Sequence, residues 1–206
     1  MPLNFFRRKQ ADADAAARGG PATIAGRGTR IGVAFDGVTE EWRLVGRMDV
    51  EGRLSDALNK RESIAIHDVR WAPIDGSSDL VEAPGLKSID PYDLILVLAG
   101  EDSLPELNDA EKSAHRVHKV AYDVALEAPP FRVVGTVLLH PGSEPDRLLD
   151  RATEMFVPVV DAVATLGETR VGDPDVATVL VNRFYLRGVE QVDKRTGLKA
   201  QRLPGA

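Results

Sequence analysis

The chain has 206 residues, 43% hydrophobic and 28% charged, a balance that predicts a packed core over most of its length. It has no cysteine, which excludes disulfides, thiolate metal sites and cysteine nucleophiles. The net charge of −6 is uneven: residues 1–30 sum to +4 and residues 193–206 to +3, which leaves −13 on the body between them. Such a body repels phosphate backbones, while two basic ends can still reach an anionic partner.

The opening 29 residues hold few large apolar side chains beyond Leu3, Phe5 and Phe6, and show no periodic face. They read as a flexible basic leader. Within it, Phe5, Phe6, Arg7, Arg8 and Lys9 place two aromatic rings beside three cations. That combination suits an acidic protein groove or an anionic membrane surface. No run reaches the roughly 18 apolar residues of a membrane span, and no secretory signal core is present. The expected location is the cytoplasm, with peripheral contact at the inner membrane surface as the option that Phe5–Lys9 leaves open.

From Arg30 the pattern becomes one of short β-segments. Ile31–Phe35 and Trp42–Val50 are rich in β-branched and aromatic residues, with Asp36-Gly37 between them as an expected turn pair. Gly52–Lys60 predicts a short helix, Ser63–Trp71 a strand, and Asp75–Ser78 a turn. Leu86–Ile89 and Leu94–Leu98 read as two further strands broken at Asp90-Pro91, where proline removes a ladder donor. Residues 100–116 then predict a helical connector, with Ser103 as cap and Pro105 in the first turn.

After the connector the order recurs. Val120-Ala121-Tyr122-Asp123 restates Val33-Ala34-Phe35-Asp36, and Phe131–Gly135 restates Trp42–Gly46. Pro145–Arg151 takes the place of the first helix, Phe156–Val163 that of Ile64–Arg70, and Asp161 answers Asp68. Val179–Val181 and Phe184–Val189 match the last two strands around a turn at Asn182-Arg183. Five elements in one order imply an internal duplication, residues 30–99 and 117–192, followed by a flexible basic tail at 193–206. Gly46 and Gly135, inside strand patterns, mark an expected bulge or bend in each copy. Asp68 and Asp161 read as turn-forming residues after a strand.

Each copy therefore holds about five short strands and one brief helix. That inventory predicts a mainly β protein: two tandem small antiparallel β-barrels, SH3-like or Sm-like, forming a pseudo-symmetric pair. The stretch RLVG…GRLSDALN, Arg43 to Asn59, followed by a strand ending near His67-Asp68-Val69, resembles a family of short bacterial β-domain proteins. The signature of that family is G-h…R-L-S-D-h-L-N, h being apolar. The second copy departs from it, with Glu144–Asp150 in that place, although its Val181-Asn182-Arg183 is similar to the family's ending. The resemblance implies the fold unit and no activity.

The catalytic inventory is thin. His115 and His118, three apart, would share a helix face, but a third metal ligand is lacking and a solvated pair is the plainer reading. His140, Ser143 and Asp146 suggest a triad only by composition; without a G-x-S-x-G elbow they read as a loop in which Ser143 or Asp146 caps a helix. No phosphate-cradling motif exists beyond the lone Gly26-Arg27-Gly28. The expectation is a non-catalytic binding or scaffolding protein, not an enzyme, with no cofactor and no metal, and with a protein partner. Its candidate contacts are Phe5, Phe6, Arg7, Arg8 and Lys9 in the leader, and Arg43 and Arg132 at equivalent outward strand positions, where a solvated ion pair is the competing reading. Nucleic-acid binding through an Sm-like surface aided by the basic tails is the second expectation, opposed by the acidic body and an aromatic content of 5%. Membrane attachment through Phe5–Lys9 is the third.

Overall fold

The computed structural model describes residues 32–50, 52–100, 119–150 and 154–193. The leader with Phe5, Phe6, Arg7, Arg8 and Lys9, nearly all of the expected connector together with His115 and His118, and the tail beyond Asp193 lie outside the described residues.

The first half runs β1 (Val33–Val38), β2 (Trp42–Met48), α1 (Leu54–Asn59), β3 (Ile64–Pro73), β4 (Val81–Glu82), β5 (Ser88–Ile89), a 3-10 turn (Pro91–Asp93) and β6 (Leu96–Ala99). The second half repeats the order: β7 (Val120–Ala128), β8 (Phe131–Leu139), a 3-10 turn (Pro145–Leu149) in place of α1, β9 (Phe156–Leu166), β10 (Thr169–Arg170), β11 (Thr178–Asn182), a 3-10 turn (Arg183–Tyr185) and β12 (Gly188–Gln191). The protein is mainly β, with few and short helices.

The expected pair of closed barrels is not what forms. All twelve strands join one antiparallel sheet in the order β12-β7-β8-β9-β11-β6-β1-β2-β3-β4, with β10 added to β9 and β5 to β3. The path is open, since β12 and β4 stand at its two ends. The reason lies in β11, which pairs β9 of its own half on one edge and β6 of the first half on the other. Leu180 lies opposite both Pro158 and Val97.

β6 and β11 consequently see apolar matter on both faces, which is why they read as unbroken apolar runs and not as alternating ones. Leu96, Leu98, Val179 and Val181 enter one core, together with Val124, Phe131, Val159 and Leu186. Val97 and Leu180 turn the other way, into a second core with Phe35, Met48, Leu58, Ile66 and Phe156. Each core thus contains side chains from both halves. A fully buried aliphatic or Phe side chain contributes about 1.5–3 kcal/mol, so the side chains that each half lends to the other's core stabilise the joint. Asn59, at the end of α1, adds a polar stitch: its Oδ1 accepts from the Phe156 backbone N–H at 2.7 Å and its Nδ2 donates to the Phe156 carbonyl at 3.3 Å.

Three local expectations change. Asp36-Gly37 is not a turn: both residues lie inside β1, opposite Val45 and Leu44, and the chain reverses at Thr39, whose N–H donates to the Trp42 carbonyl at 2.8 Å. The likeness of VAFD to VAYD is two residues out of structural register. Phe35 faces Gly46 whereas Val124 faces Gly135, so the counterpart of Phe35 is Val124 and not Tyr122. A slip of two leaves every side chain on its face, so a period-two strand can resemble its copy at the wrong position.

The third change concerns the aspartates. β2 shifts register against β3 between Val45 and Arg47, and β8 against β9 between Val134 and Thr136; a bulge is present at each expected level, but its extra residue lies on the facing strand, with Asp68 and Val69 opposite Gly46 and Asp161 and Ala162 opposite Gly135. Asp68 and Asp161 sit inside β3 and β9 within these bulges, with φ of 52° and 46°. They are not turn residues after a strand. The extra residue of each bulge must take the left-handed region, which Asp tolerates because its short polar side chain can bond locally.

Candidate functional site

Two 3-10 turns begin in the same way. The Asp90 Oδ1 accepts from the Tyr92 N–H at 3.0 Å, and the Asn182 Oδ1 accepts from the Phe184 N–H at 3.0 Å. Each side chain satisfies a turn N–H that has no partner within the turn, the usual role of Asx at such a start. Because β11 lies beside β6, the two turns are brought together at the surface, although Tyr92 and Phe184 are far apart in the chain.

Asn182 is fully buried and makes the joint. Its Nδ2 donates to the Leu94 carbonyl at 2.7 Å and reaches the Pro91 carbonyl at 3.4 Å, both in the first half. Above it the Tyr92 and Phe184 rings stack at 5.5 Å with a 58° tilt, an edge-to-face geometry that favours contact between ring edge and ring face. The Tyr185 hydroxyl donates to the Tyr92 carbonyl at 3.1 Å. The Arg61 guanidinium lies 5.7 Å from the centre of the Phe184 ring, within cation–π range. Tyr92 remains 42% exposed. The result is a partly exposed aromatic surface with Arg61 beside it, assembled from both halves.

Carboxylates border this surface. Burial holds the Asp93 carboxyl above the ordinary range, and the nearby charges of Asp90 and Glu40 push it the same way. The Tyr185 phenol is also raised, first by burial and then by Glu40 and Asp93. Behind the patch, burial draws the Arg183 guanidinium below its ordinary value against the opposing charges of Glu154 and Asp150, while its Nη1 donates to the Asp150 carbonyl at 3.0 Å. An aromatic and arginine surface with an acidic margin can hold a protein segment by ring contact and charge. It contains no nucleophile set beside a base.

The structure gives other places to the residues singled out by sequence. Arg43 and Arg132 occupy matching positions on β2 and β8, and neither joins the aromatic surface. Arg43 binds Asp36 through two bonds, Nε to Oδ1 at 2.9 Å and Nη2 to Oδ2 at 2.6 Å, and this partnership raises its pKa despite partial burial. Arg132 meets Glu127 at 3.2 Å, with both side chains nearly half exposed. His140 and Ser143 belong to a turn closed by the Ser143 N–H on the His140 carbonyl at 3.0 Å. The following 3-10 turn starts at Glu144 without a side-chain cap, so the capping expected of Ser143 or Asp146 does not occur. Among the described residues no three His, Asp or Glu side chains gather around a common metal position. No helix among them is long and apolar enough to cross a membrane. An open pocket of about 310 Å³ lies between α1 and the start of β3, lined by Asp49, Lys60, Glu62 and Ser63 among others.

Tyr92, Phe184, Tyr185 and Arg61 are not among the candidate residues read from the sequence, and Asn182 enters there only as a turn residue. A signal for them exists in the repeat itself. Tyr92 and Phe184 each stand two residues after an Asx that opens a turn, so both copies put a ring at one place.

No protein-family model, no curated protein and no solved structure matches this chain.

Proposed function

We propose that this chain is a non-catalytic binding protein, a scaffold built from two repeats of one small β unit, which holds a protein partner at the aromatic surface between its two 3-10 turns. The observation that carries this reading is the gathering of Tyr92, Phe184, Tyr185 and Arg61 from both halves around one partly exposed area, with Tyr92 the exposed member. Tyr and Arg are enriched among the side chains that dominate binding energy at protein contacts, Tyr because it buries a large area with little loss of side-chain freedom and Arg because its planar fork makes several directed hydrogen bonds. The acidic margin of Asp90, Asp93 and Glu40 favours a partner segment with a Lys or Arg beside an apolar residue. The basic segment Phe5–Lys9 is a second contact under the same reading.

The test is retention of a stoichiometric protein from the organism's own extract by the immobilised full chain, compared with the Tyr92→Ala and Arg61→Glu variants. The reading expects a partner whose affinity falls by about tenfold or more in each variant, as hot-spot truncations give, with unchanged far-UV circular dichroism. Nuclease-sensitive nucleic acid retained equally by all three proteins, with a steep salt dependence, would replace it with the nucleic-acid reading.

A further inference from the structure

The pocket between α1 and β3 exists because two strands part there. The Asp49 N–H donates to the Ala65 carbonyl at 2.9 Å, which carries the β2–β3 pairing one step past Met48. At the next residue the pairing stops, since the Val50 N–H turns back to the Met48 carbonyl at 3.1 Å. The chain then makes α1 and returns to β3 through Arg61, whose φ of 61° is left-handed, as is usual just past a helix end. That reversal leaves Lys60, before it, and Glu62, after it, both at the pocket, while the Arg61 guanidinium goes to the Phe184 ring.

The opening has two zones. Its floor is apolar: Ala57 and Ile64 are buried, and Val50 packs against the same core of Phe35, Met48 and Leu58. Its rim carries Asp49, Lys60, Glu62 and Ser63, all exposed. These four side chains form no ion pair or hydrogen bond among the described residues. The volume of about 310 Å³ lies at the lower end of small-ligand clefts, which run from about 300 to 1,000 Å³. A molecule that matches such a lining is small, with a short aliphatic part at one end and charges of both signs at the other.

We propose that this pocket binds a free aliphatic α-amino acid, its side chain on Val50, Ala57 and Ile64, its ammonium on the carboxylates of Asp49 and Glu62, and its carboxylate on Lys60 and the Ser63 hydroxyl. The charges select this class. Two carboxylates against one ammonium leave the rim net negative, so a fatty acid or a phosphate ester is repelled, and a plain amine leaves Lys60 unanswered. A zwitterion answers both signs in one molecule, through charge-assisted bonds that are stronger than neutral ones. The floor disfavours a polar side chain, which would lose its water there without gaining a partner.

The experiment is a titration of the isotope-labelled full-length chain with L-leucine, followed by the backbone amide resonances. Saturable shifts are expected at Asp49–Val50 and Lys60–Ala65, with a Kd below about 1 mM. Lys60→Gln and Asp49→Asn alter exposed positions, and each is expected to weaken binding by about tenfold or more while the spectrum stays dispersed. Leucinamide lacks the carboxylate and isocaproate lacks the ammonium; both are expected to bind at least about tenfold more weakly than L-leucine, and leucinamide to be indifferent to Lys60→Gln. An L-leucine titration without shifts, shifts centred elsewhere, a leucinamide affinity equal to that of L-leucine, or variants that bind as the wild type does would overturn the proposal. Neither variant touches Tyr92 or Arg61, so failure here leaves the partner-binding reading standing.

Discussion

Asn182 and Asp90 are the same residue of the repeat, and their surroundings set their chemistry. Asn182 is completely buried and uses acceptor and donor at once, toward Phe184 on its own turn and toward Leu94 and Pro91 across the junction. Asp90 is exposed and needs only the acceptor. Removing a buried polar side chain leaves its partners desolvated and unpaired, at about 1–3 kcal/mol for each group. Asn182→Ala is therefore expected to lower the free energy of unfolding by about 3 kcal/mol, read from the urea midpoint, while Asp90→Ala changes it by under about 1 kcal/mol. A small loss at Asn182 would mean that water replaces its bonds. Nothing in the sequence separates the two residues, because the difference is one of burial, and burial follows from which strand lies alongside.

At the scale of elements, the paired bulges show what a local pattern can and cannot disclose. Glycine inside a strand is a legible sign, since only a missing side chain explains its use there, and Gly46 and Gly135 both lie at register shifts. A Cβ on Gly135 would meet Val159 Cγ1 at 2.7 Å and the Ala162 Cα at 2.9 Å; one on Gly46 would meet the His67 carbonyl oxygen at 2.9 Å. Backbone contacts of that kind cannot be relieved by a rotamer change. Gly135→Ala is expected to cost about 2 kcal/mol by thermal or denaturant unfolding, with Gly46→Ala similar, in the range of other overpacking changes. An unchanged stability would mean that β9 moves aside freely. Asp68 and Asp161 were legible as equivalent, but not as left-handed residues within the bulges that face the two glycines. Their conformation is imposed by the strand opposite, and an aspartate near a strand end looks the same when it only forms a turn.

Across the whole molecule, each of the two cores holds side chains from both halves. Met155, Phe156 and Leu180 from the second half fill the core of the first, and Val38, Ile95, Leu96 and Leu98 from the first half fill that of the second. Both tryptophans of the chain, Trp42 and Trp71, stand in the first half, with ring centres 4.3 Å apart. Their fluorescence therefore reports on that half alone, whereas far-UV circular dichroism reports on all the strands. Urea transitions followed by the two signals are expected to coincide, as for one cooperative unit. A fluorescence transition displaced from the dichroism transition would show that the halves unfold separately.

By itself the sequence determined the mainly β class, the order of the longer strands in each half, the break at Asp90-Pro91 and Asn182-Arg183, and a strand irregularity at the level of both glycines. All of these follow from local signals: alternation, turn chemistry, and glycine where a side chain has no room. Only the tertiary structure decided that the repeats share a sheet instead of closing into separate barrels, and that Tyr92, Phe184, Tyr185 and Arg61 form one surface. Each copy of the repeat carries the same strand edges, and the sequence is equally consistent with pairing those edges inside a copy or between copies. The choice falls to the apolar runs Leu94–Ala99 and Val179–Val181, which need cover on both faces and obtain it only from each other and from both cores at once.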